Sequence, residues 1–144
     1  MTPFRHLPPD LYIHGQPTPE QIAALPSQGI ASVINLRGTG EDSGFDEPAA
    51  VAAAGLAYHA LPVAGPQDLT ADTVARFSDL LAQARSKGPV LIHCASANRV
   101  GALLALEKGW LHGLASNDAV EIGRQAGLTG LEPVVSRLLE DGPN

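Results

Sequence analysis

The residues most able to do chemistry stand in one run, Val90-Leu91-Ile92-His93-Cys94-Ala95-Ser96-Ala97-Asn98-Arg99-Val100-Gly101. Val90 to His93 predicts a buried strand that delivers Cys94 at its carboxyl end, with a tight loop next and a helix from about Arg99. A loop running into a helix N-terminus aims several backbone N–H groups inward, and the helix dipole adds partial positive charge, so this shape binds an anion. Arg99 supplies a planar, permanently charged fork for two oxygens of that anion. Such surroundings lower a cysteine pKa from ~8.5 to ~3.5–7.5, so Cys94 is expected as a thiolate. A nucleophile beside a cationic cradle is suited to covalent group transfer on a small dianion. Ala95, Ser96, Ala97, Asn98 and Val100 complete the anion-binding loop, which lacks glycine, so Asn98 is the residue expected to take a positive φ. His93 is expected to be buried and to orient Cys94 or bond to backbone, not to carry protons. An isolated cysteine ending a strand is ordinarily a small buried hydrophobe; the adjoining strand, Arg99 and helix start reverse that expectation.

Around this segment the pattern alternates strands and helices. Leu11-Tyr12-Ile13 reads as a strand closed by Gly15. Thr18, Pro19 and Gln21 make a capping box for a helix running to about Leu25 and stopping at Pro26. Ala31 to Leu36 is a buried strand, and the polar stretch Gly38 to Asp46 beyond it is a candidate lid. Pro48 to Ala54 forms a short helix ended by Gly55, and Leu56 to Leu61 a strand broken by Pro62. Thr70 caps a helix from Ala71 to about Arg85, with Val74, Phe77, Leu80 and Leu81 on one face. After the Cys94 loop one helix runs to about His112, with Leu103, Leu106, Trp110 and Leu111 as core. Ser116 caps another to about Ala126, and Glu132 to Leu139 is the last. This alternation predicts a single α/β domain over residues 1–144, in which ligands bind at the carboxyl ends of the strands. Arg37 leaves its strand at that end, either as a second positive group in the site or paired with Glu41 or Asp42. His14, His59 and His112 are scattered as surface or satisfied residues, with no spacing that suggests a metal.

The His93-Cys94 pair, the short loop and Arg99, on a strand, loop and helix, resemble the signature of the cysteine-dependent phosphatase superfamily, dual-specificity branch. Gly15-Gln16-Pro17-Thr18-Pro19-Glu20-Gln21 together with His93 to Gly101 is similar to a bacterial phosphatase-like group first catalogued as a domain of unknown function. Some members of that group occur fused to metallo-β-lactamase-like persulfide dioxygenases. The resemblance implies a dual-specificity-phosphatase-like fold: a mostly parallel sheet of four to five strands flanked by helices, with no cofactor. Three departures matter. The phosphatase signature has five residues between Cys and Arg, and here there are four. Val100 replaces the Ser or Thr that follows the Arg. Aligning on Pro62 puts Gly65 where the general-acid Asp belongs, leaving Asp68 or Asp72 as substitutes, and losing a general acid costs ~10²–10⁴ in rate. A four-residue loop resembles that of rhodanese-type sulfurtransferases, whose thiosulfate substrate expels sulfite without protonation. The expectation is therefore sulfur transfer from thiosulfate to a small thiol such as glutathione, ahead of phosphoester hydrolysis, with an idle anion-binding module third.

Composition excludes several classes. The 144 residues carry nine Lys plus Arg against fifteen Asp plus Glu, a net charge of −6 with no basic run, so nucleic acid is not an expected partner. A mean hydropathy of +0.05 and the absence of a ~20-residue apolar stretch argue against a membrane protein. The beginning, Met1-Thr2-Pro3-Phe4-Arg5-His6, lacks a signal-like pattern, so a cytoplasmic location is the expectation. One cysteine rules out an internal disulfide or a multi-cysteine zinc cluster. A persulfide or oxidised Cys94 therefore has no internal resolving partner, and turnover must go through an external thiol or water.

Overall fold

Period-two burial along the strands assigns alternate side chains to two separate cores. In the computed structural model, which describes residues 4–144, the strands are β1 (Arg5–Leu7), β2 (Leu11–His14), β3 (Ser32–Asn35), β4 (Ala57–Ala60) and β5 (Val90–His93). Their order in the sheet is β1-β2-β5-β3-β4, with β1 antiparallel to β2 and the other pairings parallel. Ile13, Ile34, Val90 and Ile92 face one core; Val33 and Leu91 face the other. Every residue of β5 is buried, as suits the central strand of a parallel sheet covered on both faces.

The helices are α1 (Pro19–Ala24), α2 (Glu47–Ala53), α3 (Ala71–Arg85), α4 (Asn98–Leu106), α5 (Ser116–Gln125) and α6 (Glu132–Asp141). The capping box at α1 forms as expected, with Thr18 and Gln21 exchanging side-chain and backbone bonds of 3.1 and 2.9 Å. Ile22, Leu25 and Val51 close one face of the sheet, while Phe77, Leu81 and Leu103 close the other. Gly101 of α4 meets α5 so closely that a Cβ there would lie 2.6 Å from the Gly123 carbonyl oxygen and 2.4 Å from the Leu128 nitrogen.

Some elements differ from expectation. β1 escapes a reading by periodicity because it is three residues long and mostly exposed, and only pairing with β2 defines it. Ser116 is the first helical residue of α5, not its cap; Ala115 precedes it without a side-chain bond. After Leu106 the helix widens into a π turn over Glu107–Leu111. That turn leaves Leu111 exposed and not in the core, while Trp110 is half-buried and its Nε1–H donates to the Leu138 carbonyl at 3.2 Å. Met1, Thr2 and Pro3, part of the stretch read for a signal pattern, lie outside the described residues. Among the described residues, no helix is long and apolar enough to cross a membrane.

The register of the sheet matters most for function. His14, His93, Asn35 and Ala60 lie level across β2, β5, β3 and β4. The loops that follow these residues therefore leave from one edge of the sheet, where open α/β folds bind ligands.

Candidate active site

Cys94 follows the last residue of β5 and is fully buried, at the bottom of a loop whose rim residues Ala95 and Ser96 are exposed. The loop turns at Ala97, whose φ is 74°, and not at Asn98 as expected. A left-handed alanine costs ~1–2 kcal/mol, so its surroundings must hold it there. Gly127 makes room: a Cβ on it would come within 2.6 Å of the Ala97 side chain. Asn98 instead starts α4, and its Oδ1 accepts the N–H groups of Thr129 and Leu131 at 2.8 and 3.3 Å. On the other side, the Gln16 N–H donates to the Ala95 carbonyl at 3.2 Å. Gly15 is required at that approach, because a Cβ would stand 2.5 Å from the same oxygen. The N–H groups of the first turn of α4 have no carbonyl to bond within the helix and are free to hold an anion. Val100 is buried on α4.

Arg99 is held by more than the loop. Its Nη1 donates to Glu41 Oε2 at 2.5 Å and to the Val63 carbonyl at 2.7 Å, and its Nη2 donates to Glu41 Oε1 at 2.8 Å. This bidentate clasp uses the Nη end of the guanidinium and not its Nε. Cys94 acts on Arg99 too: the Arg99 pKa is raised, chiefly by the Glu41 hydrogen bonds, with the charge and hydrogen bonding of Cys94 among the further causes. Glu41 also accepts the Gly38 N–H at 2.5 Å and lies 3.4 Å from Arg37 Nε. Arg37 thus pairs with Glu41, as one of the two sequence alternatives had it. Its Nη1 also donates to Gln16 Oε1 at 2.8 Å and its Nη2 to the Asp42 carbonyl at 3.0 Å.

The Arg99 hydrogen bonds lead in lowering the Glu41 pKa from the ordinary 4.5 to about 2. A lowered carboxylate stabilises the fold above its unfolded pKa, and that contribution disappears as pH falls through the folded value. The Tm gap between the parent and Glu41→Gln should thus be steady from neutral pH down to about 4.5 and narrow toward about 2. A gap independent of pH over that range would show that the clasp does not stabilise the fold.

His93 is buried, and its Nε2 lies 2.5 Å from Glu47 Oε2, itself buried in the first turn of α2. Glu47 Oε1 accepts Gln16 Nε2–H at 2.8 Å, and His93 Nδ1 lies 3.4 Å from the Cys94 carbonyl oxygen. Burial opposes the charge on Glu47, but the His93 and Gln16 hydrogen bonds with the His93 and Arg37 charges outweigh it, so its pKa falls.

The two acid candidates separate. Asp68 stays in the loop after β4, where its Oδ2 accepts the Ala64 N–H at 2.8 Å, one residue from the carbonyl that Arg99 holds. Asp72 pairs with Arg76 at 3.0 Å on the exposed side of α3. Beside the clasp lies a cavity of about 370 Å³ lined by Gln16, Arg37, Glu41, Phe45, Glu47 and Tyr58, among others. Of the remaining histidines, His14 bonds the Gly15 carbonyl and His112 lies 3.8 Å from Glu107. His59 departs from expectation, since its buried Nε2 has no hydrogen-bond partner among the described residues. Among the described residues no group of three or more His, Cys, Asp or Glu could hold a metal ion.

This arrangement has known counterparts. Residues 3–110 match the family described as Beta-lactamase hydrolase-like protein, phosphatase-like domain. A Beta-lactamase hydrolase-like protein of Agrobacterium fabrum is 34% identical over 121 residues, covering 81% of this chain and 27% of that protein. The chain thus spans about a quarter of the curated relatives it matches. Among solved structures, a Neisseria meningitidis protein classed with the phosphatases superposes with a TM-score of 0.73 at 28% identity, covering 94% of this chain and 95% of that one. Pseudomonas aeruginosa TpbA, solved in complex with pTyr, gives a TM-score of 0.76 at 20% identity over 96% of this chain and 83% of its own. The fold expectation is met: these are the folds of cysteine-dependent phosphatases.

Proposed function

The chain belongs to the phosphatase-like domain family of the Beta-lactamase hydrolase-like proteins, and from that premise we propose that it is a cysteine-based phosphatase acting on phosphomonoesters. The observation that carries this reading is Cys94 at the floor of a loop that runs into α4, with Arg99 clasped beside it. The Cys94 sulfur attacks phosphorus and the ester P–O bond breaks. The departing oxygen takes the bond's electrons and, where it needs one, a proton. Water then attacks the phosphocysteine, freeing inorganic phosphate and restoring the thiolate. Arg99 and the α4 N–H groups hold the phosphoryl oxygens as charge redistributes.

Gly65 supplies no acid, and Asp72 is engaged with Arg76. Of the two acid candidates, Asp68 is the one on the loop whose Val63 carbonyl Arg99 holds, although one of its oxygens is committed to the Ala64 N–H. Esters of acidic phenols, whose leaving oxygen needs little protonation, are the preferred class. The pTyr bound by TpbA makes an aryl phosphate the natural probe.

This reverses the order expected from loop length. The family and the Neisseria structure carry phosphatase descriptions, and neither supports the thiosulfate donor or the thiol acceptor. Sulfur transfer stays as a second reading on one observation, the commitment of Asp68 Oδ2 to backbone, because sulfite leaves without an acid. Phosphate release from p-nitrophenyl phosphate should greatly exceed sulfite release from thiosulfate plus glutathione. Sulfite without phosphate would establish the second reading, and silence in both would leave an idle anion-binding module.

A further inference from the structure

We propose that Glu47 is the positioning residue of the Cys94 loop, one carboxylate that joins the two walls of the site. Two donors converge on its two oxygens from opposite sides: His93 Nε2–H at 2.5 Å and Gln16 Nε2–H at 2.8 Å. Beyond His93 lies the Cys94 carbonyl, 3.4 Å from Nδ1. Beyond Gln16 lies Arg37, which donates to Gln16 Oε1 and stands 3.4 Å from Glu41, the residue that clasps Arg99. The nucleophile's loop and the Arg99 clasp are thus joined through Glu47.

With the His93 proton on Nε2, a carboxylate at 47 accepts from both neighbours at once. Two donors need two acceptor oxygens, and a glutamine at 47 offers one oxygen and one NH₂ group. Its NH₂ would either meet Gln16 Nε2–H or, set toward His93, require the imidazole to move its proton from Nε2 to Nδ1 beside the Cys94 carbonyl. Turning the Gln16 amide to relieve the first clash would set an NH₂ against Arg37 Nη1, so the mismatch passes along the network instead of ending at Glu47. The His93 end of the junction is also buried, with His93 0% exposed and Glu47 3%, so a bond lost there costs more than one at the surface.

This inference rests on Cys94 being the nucleophile but not on which dianion it attacks, so the test reads Cys94 itself. Alkylation by iodoacetamide, followed by intact mass, gives a rate constant for the thiol in the folded protein, with circular dichroism reporting the folded fraction. Glu47→Gln should lower that rate constant about tenfold at equal folded fraction, and lower kcat on an aryl phosphate with little change in KM. His93→Asn should lower it about as much, and the double variant no further, because residues acting as a unit are not additive. Should Glu47→Gln fail to fold, Gln16→Ala removes one of the two donors from a half-buried position and should give a smaller loss of the same kind. Unchanged alkylation in folded Glu47→Gln, or in folded Gln16→Ala, would overturn the proposal, as would fully additive losses in the double variant. A parent Cys94 alkylated no faster than an ordinary buried thiol would instead count against Cys94 as the nucleophile, a distinct failure.

Discussion

Cys94→Ser should abolish turnover of aryl phosphate, with a loss on the order of 10⁴-fold or more in kcat, because no other side chain in the site can form the covalent intermediate. Cys94 is the only cysteine in the sequence. Serine keeps the size but not the nucleophile: its hydroxyl stays protonated unless a base removes the proton, and no base is placed to do so. His93 turns its Nε2 to Glu47, and its Nδ1 lies against the Cys94 carbonyl. The anion-binding shape should survive, because it is made of backbone and Arg99. Phosphate or tungstate binding measured by calorimetry should therefore persist in the variant while activity does not. Residual turnover within tenfold of the parent would remove Cys94 from the chemistry.

Arg99→Lys should lower kcat/KM on aryl phosphate by about 10²–10³, the range typical of losing one preorganised donor to a developing anion. Charge is conserved in this change, so the loss measures geometry. Arg99 meets Glu41 through two parallel N–H bonds and the Val63 carbonyl through a third, which fixes the plane of the guanidinium. Lysine offers a point charge on a flexible stem and cannot make the same fork. Steady-state kinetics with folding checked by circular dichroism reads the effect. A loss below tenfold would mean that positive charge alone suffices and that the clasp does not orient Arg99 for the reaction.

Much of the fold was legible because its signals are local. Thr18 with Gln21, Thr70 ahead of Ala71–Arg85, and the apolar run Val90–His93 each declare an element within a few residues, and each forms. The Cys94 loop was legible in the same way, as a strand, a short gap and a helix start. The turn residue was misread because propensity favours Asn98 for a positive φ. Tertiary contacts decide otherwise: Gly127 makes space for Ala97, while the Asn98 side chain is drawn to the Thr129 and Leu131 backbone.

The partners of the site were not legible. Glu41 meets Arg99 across 58 positions and Glu47 meets His93 across 46, with no pattern in between that links them. Glu41 read as a surface partner for Arg37, and Glu47, between the polar stretch ending at Asp46 and the helix expected from Pro48, drew no reading. What unites them is the level register of β2, β5, β3 and β4, which gathers separate loops at one edge. The nearest sequence signal was the polar stretch Gly38 to Asp46, longer than its connection needs, and Glu41 lies within it.

The most direct measurement is the intact mass of the protein quenched shortly after mixing with p-nitrophenyl phosphate, beside a sample incubated with thiosulfate. Phosphoryl transfer through Cys94 predicts an added mass of one phosphoryl group in the first sample, absent from Cys94→Ser, and an unchanged mass in the second. A single added sulfur after thiosulfate, removed by glutathione, with no phosphoryl adduct under any quench time, would contradict it.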